Sequence, residues 1–214
     1  MAYATVADMI QAFREETSDT VEDYLWSDAL LVRFASEALV AFAEQTKSIY
    51  DDSSAAAVIE YAAAQQVLAL HPAVIDVVEA YAGDRQLKVV APGVVRRSEL
   101  PTGGLPELLV LGSSSDQMKL YPAPQEAGTL ELLVIRRPLA EVAVNGAIPD
   151  VPVSDRRHLL SFMKGRSYGV QDVEAYDPAK SAQFYVEFER ACQGIYENAL
   201  RRRSSASRGI RFNW

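Results

Sequence analysis

Residues Trp26–Tyr50 read WSDALLVRFASEALVAFAEQTKSIY, and the rest of the chain is organised around them. Ser27 follows a large apolar residue and can cap a first turn, and Asp28 stands where the helix dipole favours an acid. Leu31, Phe34, Ala35, Ala38, Ala41, Phe42 and Gln45 then recur at three- and four-residue steps, the signature of one helical face. Leu30, Val32, Leu39, Val40 and Ala43 widen that stripe, leaving Arg33, Glu37, Glu44 and Lys47 as a narrow wet strip. A helix this apolar over 26–48 is packed on more than one side: it is central to its domain or lies at a subunit interface. Leu31, Phe34 and Phe42 are the residues expected at such an interface.

Outward from this helix the pattern changes twice. Upstream, Val6, Met9, Ile10 and Phe13 predict an amphipathic helix over 4–17, joined by the polar SDTVEDYLW. Downstream of YDDSSA come short β-prone runs: AAVIEYAA, QQVLAL, AVIDVVEAY, QLKVVAP, ELLVLG, MKLYPAP and GTLELLVIRRPL. Turn-rich segments such as HPA, GDR and PGVVRRSELPTGG separate them. Val74, Val78 and Ala80 against Asp76 and Glu79 alternate imperfectly, so at least one sheet face is wet. These runs predict an antiparallel sheet of five or six strands over 55–137, because the crossover helices of a parallel sheet are missing.

After NGAIPDVPV the helical period returns, with Ser154 as a candidate N-cap and Leu159, Leu160, Phe162 and Met163 as its apolar face. Gly165 and Gly169 weaken that helix. Asp177 and Pro178 then form a cap and first-turn pair, and Phe184, Tyr185, Phe188, Cys192 and Ile195 make the stripe of a last helix running toward Leu200. The expected architecture is α+β. Helices at 1–54 and 149–203 form a bundle from both chain ends, an antiparallel β domain is inserted at 55–148, and 204–214 is an extended tail.

Composition narrows the function classes. At 49% apolar and 23% charged, the chain is that of an ordinary globular protein with length enough for a real core. No uninterrupted apolar run is long enough for a membrane span, and MAYATVADMIQAF lacks the basic start of a secretory signal. A single cysteine, Cys192, excludes an internal disulfide and suits a reducing compartment. The net charge of −8 argues against a general nucleic-acid binder. It is also uneven: residues 1–60 carry twelve acids and three bases, whereas 201–214, RRRSSASRGIRFNW, carry five arginines and no acid. Such asymmetry suits contacts between copies or with other partners.

Candidate chemistry is sparse. His71 and His158 lack companions at metal-ligand spacing, Cys192 sits on an apolar face, and Asp51 and Asp52 read as a solvated turn. Gly103 and Gly104 lie between prolines, with no phosphate-loop lysine after them. No nucleophile-elbow, zinc, Walker or Rossmann pattern appears, so no catalytic residue, metal or cofactor is expected. The C-terminal segment stands apart. Arg201, Arg202, Arg203 and Arg208, followed by Ile210, Phe212 and Trp214, have the composition of an anchor that docks in a partner's groove. A solvated end and a nucleic-acid contact are the other readings of that composition.

The order of these features resembles the head-to-tail adaptor (connector) proteins of tailed phages, particularly those of short-tailed viruses. Three places carry the resemblance. They are the Trp26-Ser27-Asp28 opening of a long Ala-, Glu- and Leu-rich helix, the strands ending in MKLYPAP and TLELLVIRRPL, and the segment IPDVPVSDRRHLLSFMKGRSYGVQDVEAYDPAKSAQFYVEFERA with His158 and the Asp172–Glu174 acidic step. Lys164, Gly165 and Arg166 depart from it, standing where relatives tend to be apolar or alanine-rich. The resemblance implies a structural virion protein that is not an enzyme, made in the host cytoplasm and placed at the head-tail junction. It forms a homo-oligomeric ring, commonly of about a dozen copies. That ring sits beneath the portal, receives a tail nozzle or tail tube protein, and lets DNA pass without sequence-specific binding. It also implies that Arg201, Arg202, Arg203, Arg208, Ile210, Phe212 and Trp214 dock on the portal protein. The alternative is a soluble α+β enzyme, or a module associated with one. An enzyme would present a concave site with converging ionisable groups, and an adaptor would assemble.

Overall fold

The first helix, α1 (Val6–Thr17), begins where Thr5 and Asp8 satisfy each other's backbone amides in a capping box. This computed structural model describes residues 3–96, 100–112, 116–171 and 175–207. The second helix, α2 (Asp28–Thr46), starts at the Ser27 cap, whose hydroxyl accepts from the Leu30 amide at 3.3 Å, and ends at a left-handed Lys47. Eight strands follow: β1 (Tyr50–Asp51), β2 (Val58–Tyr61), β3 (Val67–Ala69), β4 (Val74–Ala82), β5 (Arg85–Val90), β6 (Leu108–Leu111), β7 (Gln117–Tyr121) and β8 (Gly128–Arg136). The chain returns to helix in α3 (Arg157–Tyr168) and α4 (Pro178–Ser207). The protein is α+β, with helices from both ends and a sheet between them in sequence.

Two units divide the chain: Met1–Ser48 with Pro138–Trp214, and Ile49–Arg137. The sheet unit is therefore shorter at its end, and earlier at its start, than the expected 55–148. At the start, Tyr50 and Asp51 already pair with Ile135 and Val134 of β8. At the end, 138–148 belongs with the helices. The Ala7 amide donates to Val144 at 2.8 Å, Thr5 bridges Ala147, and Ile148 is buried in the helical core.

In the sheet unit the order is β1-β8-β4-β5-β6-β7-β3, with β2 beside β1 on the same edge of β8. Its two edges, β2 and β3, are consecutive in the chain and joined only through residues 62–66, so the sheet must curl to bring them near each other. Leu130, Leu132 and Val134 of β8 and Met118 and Leu120 of β7 alternate inward with period two and fill the interior with Leu68, Leu87 and Leu109. The sheet is mixed, not purely antiparallel: β5 and β6 run parallel. The link 91–107 is long enough for a parallel crossover. The imperfect alternation of β4 also has a cause. Register shifts between Val74 and Asp76 and between Val77 and Glu79 turn Val74, Val77 and Ala80 inward and leave Val78 exposed.

In the helical unit, Phe13, Leu31, Phe34, Phe42, Met163 and Phe188 pack into one core. Trp26 ties the elements together: its ring meets Phe13 and Tyr168 edge-on at 5.4 and 5.7 Å, and its indole N–H donates to the Ser167 carbonyl at 3.3 Å. Arg14 organises the connection between α1 and α2. It pairs with Asp19 at 2.6 Å and Asp28 at 2.5 Å, donates to the Trp26 carbonyl, and lies 3.6 Å from the Tyr24 ring centroid. Arg156 holds the backbone carbonyls of Tyr3, Ile148 and Val151.

Three local expectations change here. Ser154 is not the cap of α3; its hydroxyl donates to Asp155, and the helix begins from Arg156 without a side-chain cap. Gly165 does not merely weaken α3, because a Cβ there would lie 3.3 Å from the Tyr185 ring, so the glycine lets α4 approach. α4 also runs past residue 203 to Ser207, so 204–207 continue a helix that arginines favour at its C-terminal end. The Asp177–Pro178 start is present as read, with the Lys180 amide donating to Asp177 at 3.0 Å.

Candidate interaction surfaces

The double-width stripe of α2 is divided between two destinations. Leu31, Phe34 and Phe42 are 0%, 1% and 0% exposed within their own subunit, so they are core residues and not the subunit interface expected of them. Leu39 and Ala43 join them. Val32, Val40 and Ala41 also line an open groove of about 730 Å³ together with Glu37, Glu44 and Glu141; Val40 is exposed, while Val32 and Ala41 are half-buried and pack in part against the core. Val40 is 36% exposed, and the Leu139 side chain on the adjoining 138–141 segment is 45% exposed. The signal for this surface was present in the sequence as the excess width of the stripe. The pattern alone does not say which of two apolar flanks a subunit covers for itself.

One rim of the groove is fixed by charge. Arg166 of α3 donates to Glu37 at 2.7 Å and lies over the Phe34 ring, while Arg33 pairs with Glu37 one turn along α2. Lys164 pairs with Glu16 and sits 5.1 Å from the Phe184 ring. The departures at Lys164, Gly165 and Arg166 are thus absorbed by partners on α1, α2 and α4.

The second surface is the distal part of α4. Among the described residues Ile195 is the last of α4 packed on the helical core; Tyr196 and Ala199 are half-buried, and Leu200, Arg201 and Arg202 are exposed. Arg201 pairs loosely with Glu197 at 3.6 Å. Arg203 lies in the helix, and Arg208, Ile210, Phe212 and Trp214 lie outside the described residues, as do Asp172 and Glu174.

The ionisable groups read as candidate chemistry have structural surroundings. His71 accepts the Ala73 amide in a turn, and burial together with Arg157 pushes His158 down despite Asp155. Burial beside Glu189 pushes the Cys192 thiol up to about 12, away from nucleophile chemistry. Gly103 and Gly104 lie in the link before β6. Asp51 corrects its reading as a solvated turn. It is buried, paired with Arg136, and accepts the Ser53 and Ser54 amides at 3.0 Å. Burial pushes its carboxyl up, but the Ser54 hydroxyl, those amides and the guanidinium outweigh burial and hold it below the usual carboxylate range. A cleft of about 380 Å³ beside Arg14 is lined by the same Asp28 and Tyr24 that hold the guanidinium. Among the described residues no group of three or more His, Cys, Asp or Glu is placed to hold a metal, and no helix is long and apolar enough to cross a membrane. No protein-family model matches the chain, and no curated protein matches it.

Proposed function

We propose that the chain is a head-to-tail adaptor of a short-tailed phage, a structural subunit that repeats in a ring beneath the portal. In this reading the ring extends the DNA channel and offers the tail nozzle or tube its attachment surface at the head-tail junction. The observation that carries the reading is the pairing of two outward-facing features in one helical unit: an apolar groove left on α2 and a cationic helix, α4, that outruns its own core. Both are surfaces suited to a partner. The acidic balance, −8 overall, suits a channel wall, because like charge repels passing phosphates and avoids gripping them. In this reading Arg208, Ile210, Phe212 and Trp214 are the portal anchor, carried beyond Arg201, Arg202 and Arg203 of α4. Repetition around a ring makes a weak single anchor strong once all can engage together.

Removal of 208–214 tests the anchor. The shortened chain keeps its fold, as far-ultraviolet circular dichroism would report, and co-sediments with portal rings at least about tenfold more weakly than the full chain. Equal co-sedimentation of the two chains would show that the segment is a solvated end.

A further inference from the structure

The geometry points to the way in which copies of this chain meet: the distal part of α4 from one copy lies in the α2 groove of the next. The case begins with length. From Ile195, the last core contact, to Ser207, α4 runs twelve residues, about 18 Å at 1.5 Å per residue. Three of its last four residues, Ser204, Ser205 and Ser207, are weak helix formers, so this arm draws little order from its own sequence. Leu200, Arg201 and Arg202 on it are exposed, and a surface that covers them adds the order that this sequence does not.

Charge selects the occupant. Residues 193–207 carry Arg201, Arg202 and Arg203 against a single acid, Glu197. The groove is lined by Glu37, Glu44, Glu141 and Arg33; Arg33 and Arg166 already pair with Glu37, so Glu44 and Glu141 give it its acidic balance. The apolar parts match as well. Tyr196, Ala199 and Leu200 share one side of α4 at three- and four-residue spacing, and Leu200 is 41% exposed. Val32 and Val40, two turns apart on α2, floor a trough of about 730 Å³ for them. The recognition mode is a helix laid in a groove, with apolar anchors at the centre and ion pairs at the edge.

The two surfaces differ, so the contact is head-to-tail: each copy gives an arm and receives one. Such an interface repeats, and it closes into a ring when the rotation per copy divides a full turn. The inference thus rests on the adaptor reading only for its closure; the pairing itself stands on the groove and the arm. It leaves 208–214 beyond the arm to meet another partner.

Charge exchange tests it in the full-length chain, read by sedimentation velocity across concentration and salt. Glu44→Arg with Glu141→Arg, and separately Arg201→Glu with Arg202→Glu, each weaken self-association about tenfold or more. The combined four-site variant recovers most of the loss. Wild-type association weakens as salt rises, since the edge contacts are screened. Thermal unfolding curves close to wild type show that the variants fold. In a Cys192→Ala background, a mixture of Val40→Cys and Leu200→Cys chains forms a disulfide-linked heterodimer, which places the contact between copies.

The proposal is overturned if the chain stays monomeric up to about 100 μM, above the range of specific oligomers, or if neither charge-reversed pair weakens association. It is equally overturned if the combined variant is no better than its parents, or if the mixed Val40→Cys and Leu200→Cys chains form no disulfide-linked heterodimer. Association by this contact without any binding to portal rings would remove the adaptor reading and leave the pairing standing. Portal binding by a chain indifferent to these substitutions would do the reverse.

Discussion

Single residues divide by what lies on each side of them. Phe42 and Val40 are neighbours on α2 with opposite fates, one fully buried and the other more than a third exposed. Phe42→Ala should cost about 3–5 kcal/mol in urea unfolding of the full chain, through lost transfer energy and the cavity left behind. Val40→Ala should cost under about 1 kcal/mol, because its methyls face the groove. Equal losses at the two positions would contradict the division. Asp51 makes a pH prediction. Its folded pKa is depressed, so it adds stability above the unfolded carboxylate value of about 3.9, and that stability is lost as pH falls through the folded value. Asp51→Asn should therefore lower the unfolding midpoint at pH 7 and converge with wild type in strong acid. A constant gap across that range would show the ion pair to be irrelevant. Asp51 read as a solvated turn because DDSS is turn-like by composition. Its partner Arg136 is far away in sequence and reached only through pairing of β1 with β8, which no local pattern announces.

Elements with a strong period were legible. The caps at Ser27 and Asp177 and the core faces of α1 and α2 follow from spacing. Features set by a neighbouring element were not. The bulges of β4 broke its alternation, and the parallel β5–β6 pair depends on how a long link crosses over. Gly165 shows the same limit. As a sequence feature it weakens α3; beside Tyr185 it is the clearance that lets α3 and α4 meet. Gly165→Val should destabilise the helical unit by about 1–3 kcal/mol by overpacking. Thermal unfolding in which Gly165→Val matches or exceeds wild type would show that the contact tolerates bulk.

The whole molecule shows why a helix can be too apolar for its own subunit. α2 covers one flank with its own core and leaves Val40 exposed beside the half-buried Val32 and Ala41, while α4 extends cationic turns past Ile195, its last core contact among the described residues. The overwide stripe and the acidic-front, basic-end charge asymmetry were both visible in the sequence. What joins them was not, because the groove exists only once α2 and the 138–141 segment are placed together. The assembly proposed above unites these features, and it is open to direct observation. Electron microscopy of the purified full chain mixed with a portal ring from the same source is the most direct measurement. Closed rings of this chain stacked coaxially on one face of the portal, with copies related by a single rotation, are the expected result. Portal rings that remain bare in the presence of excess chain would contradict it.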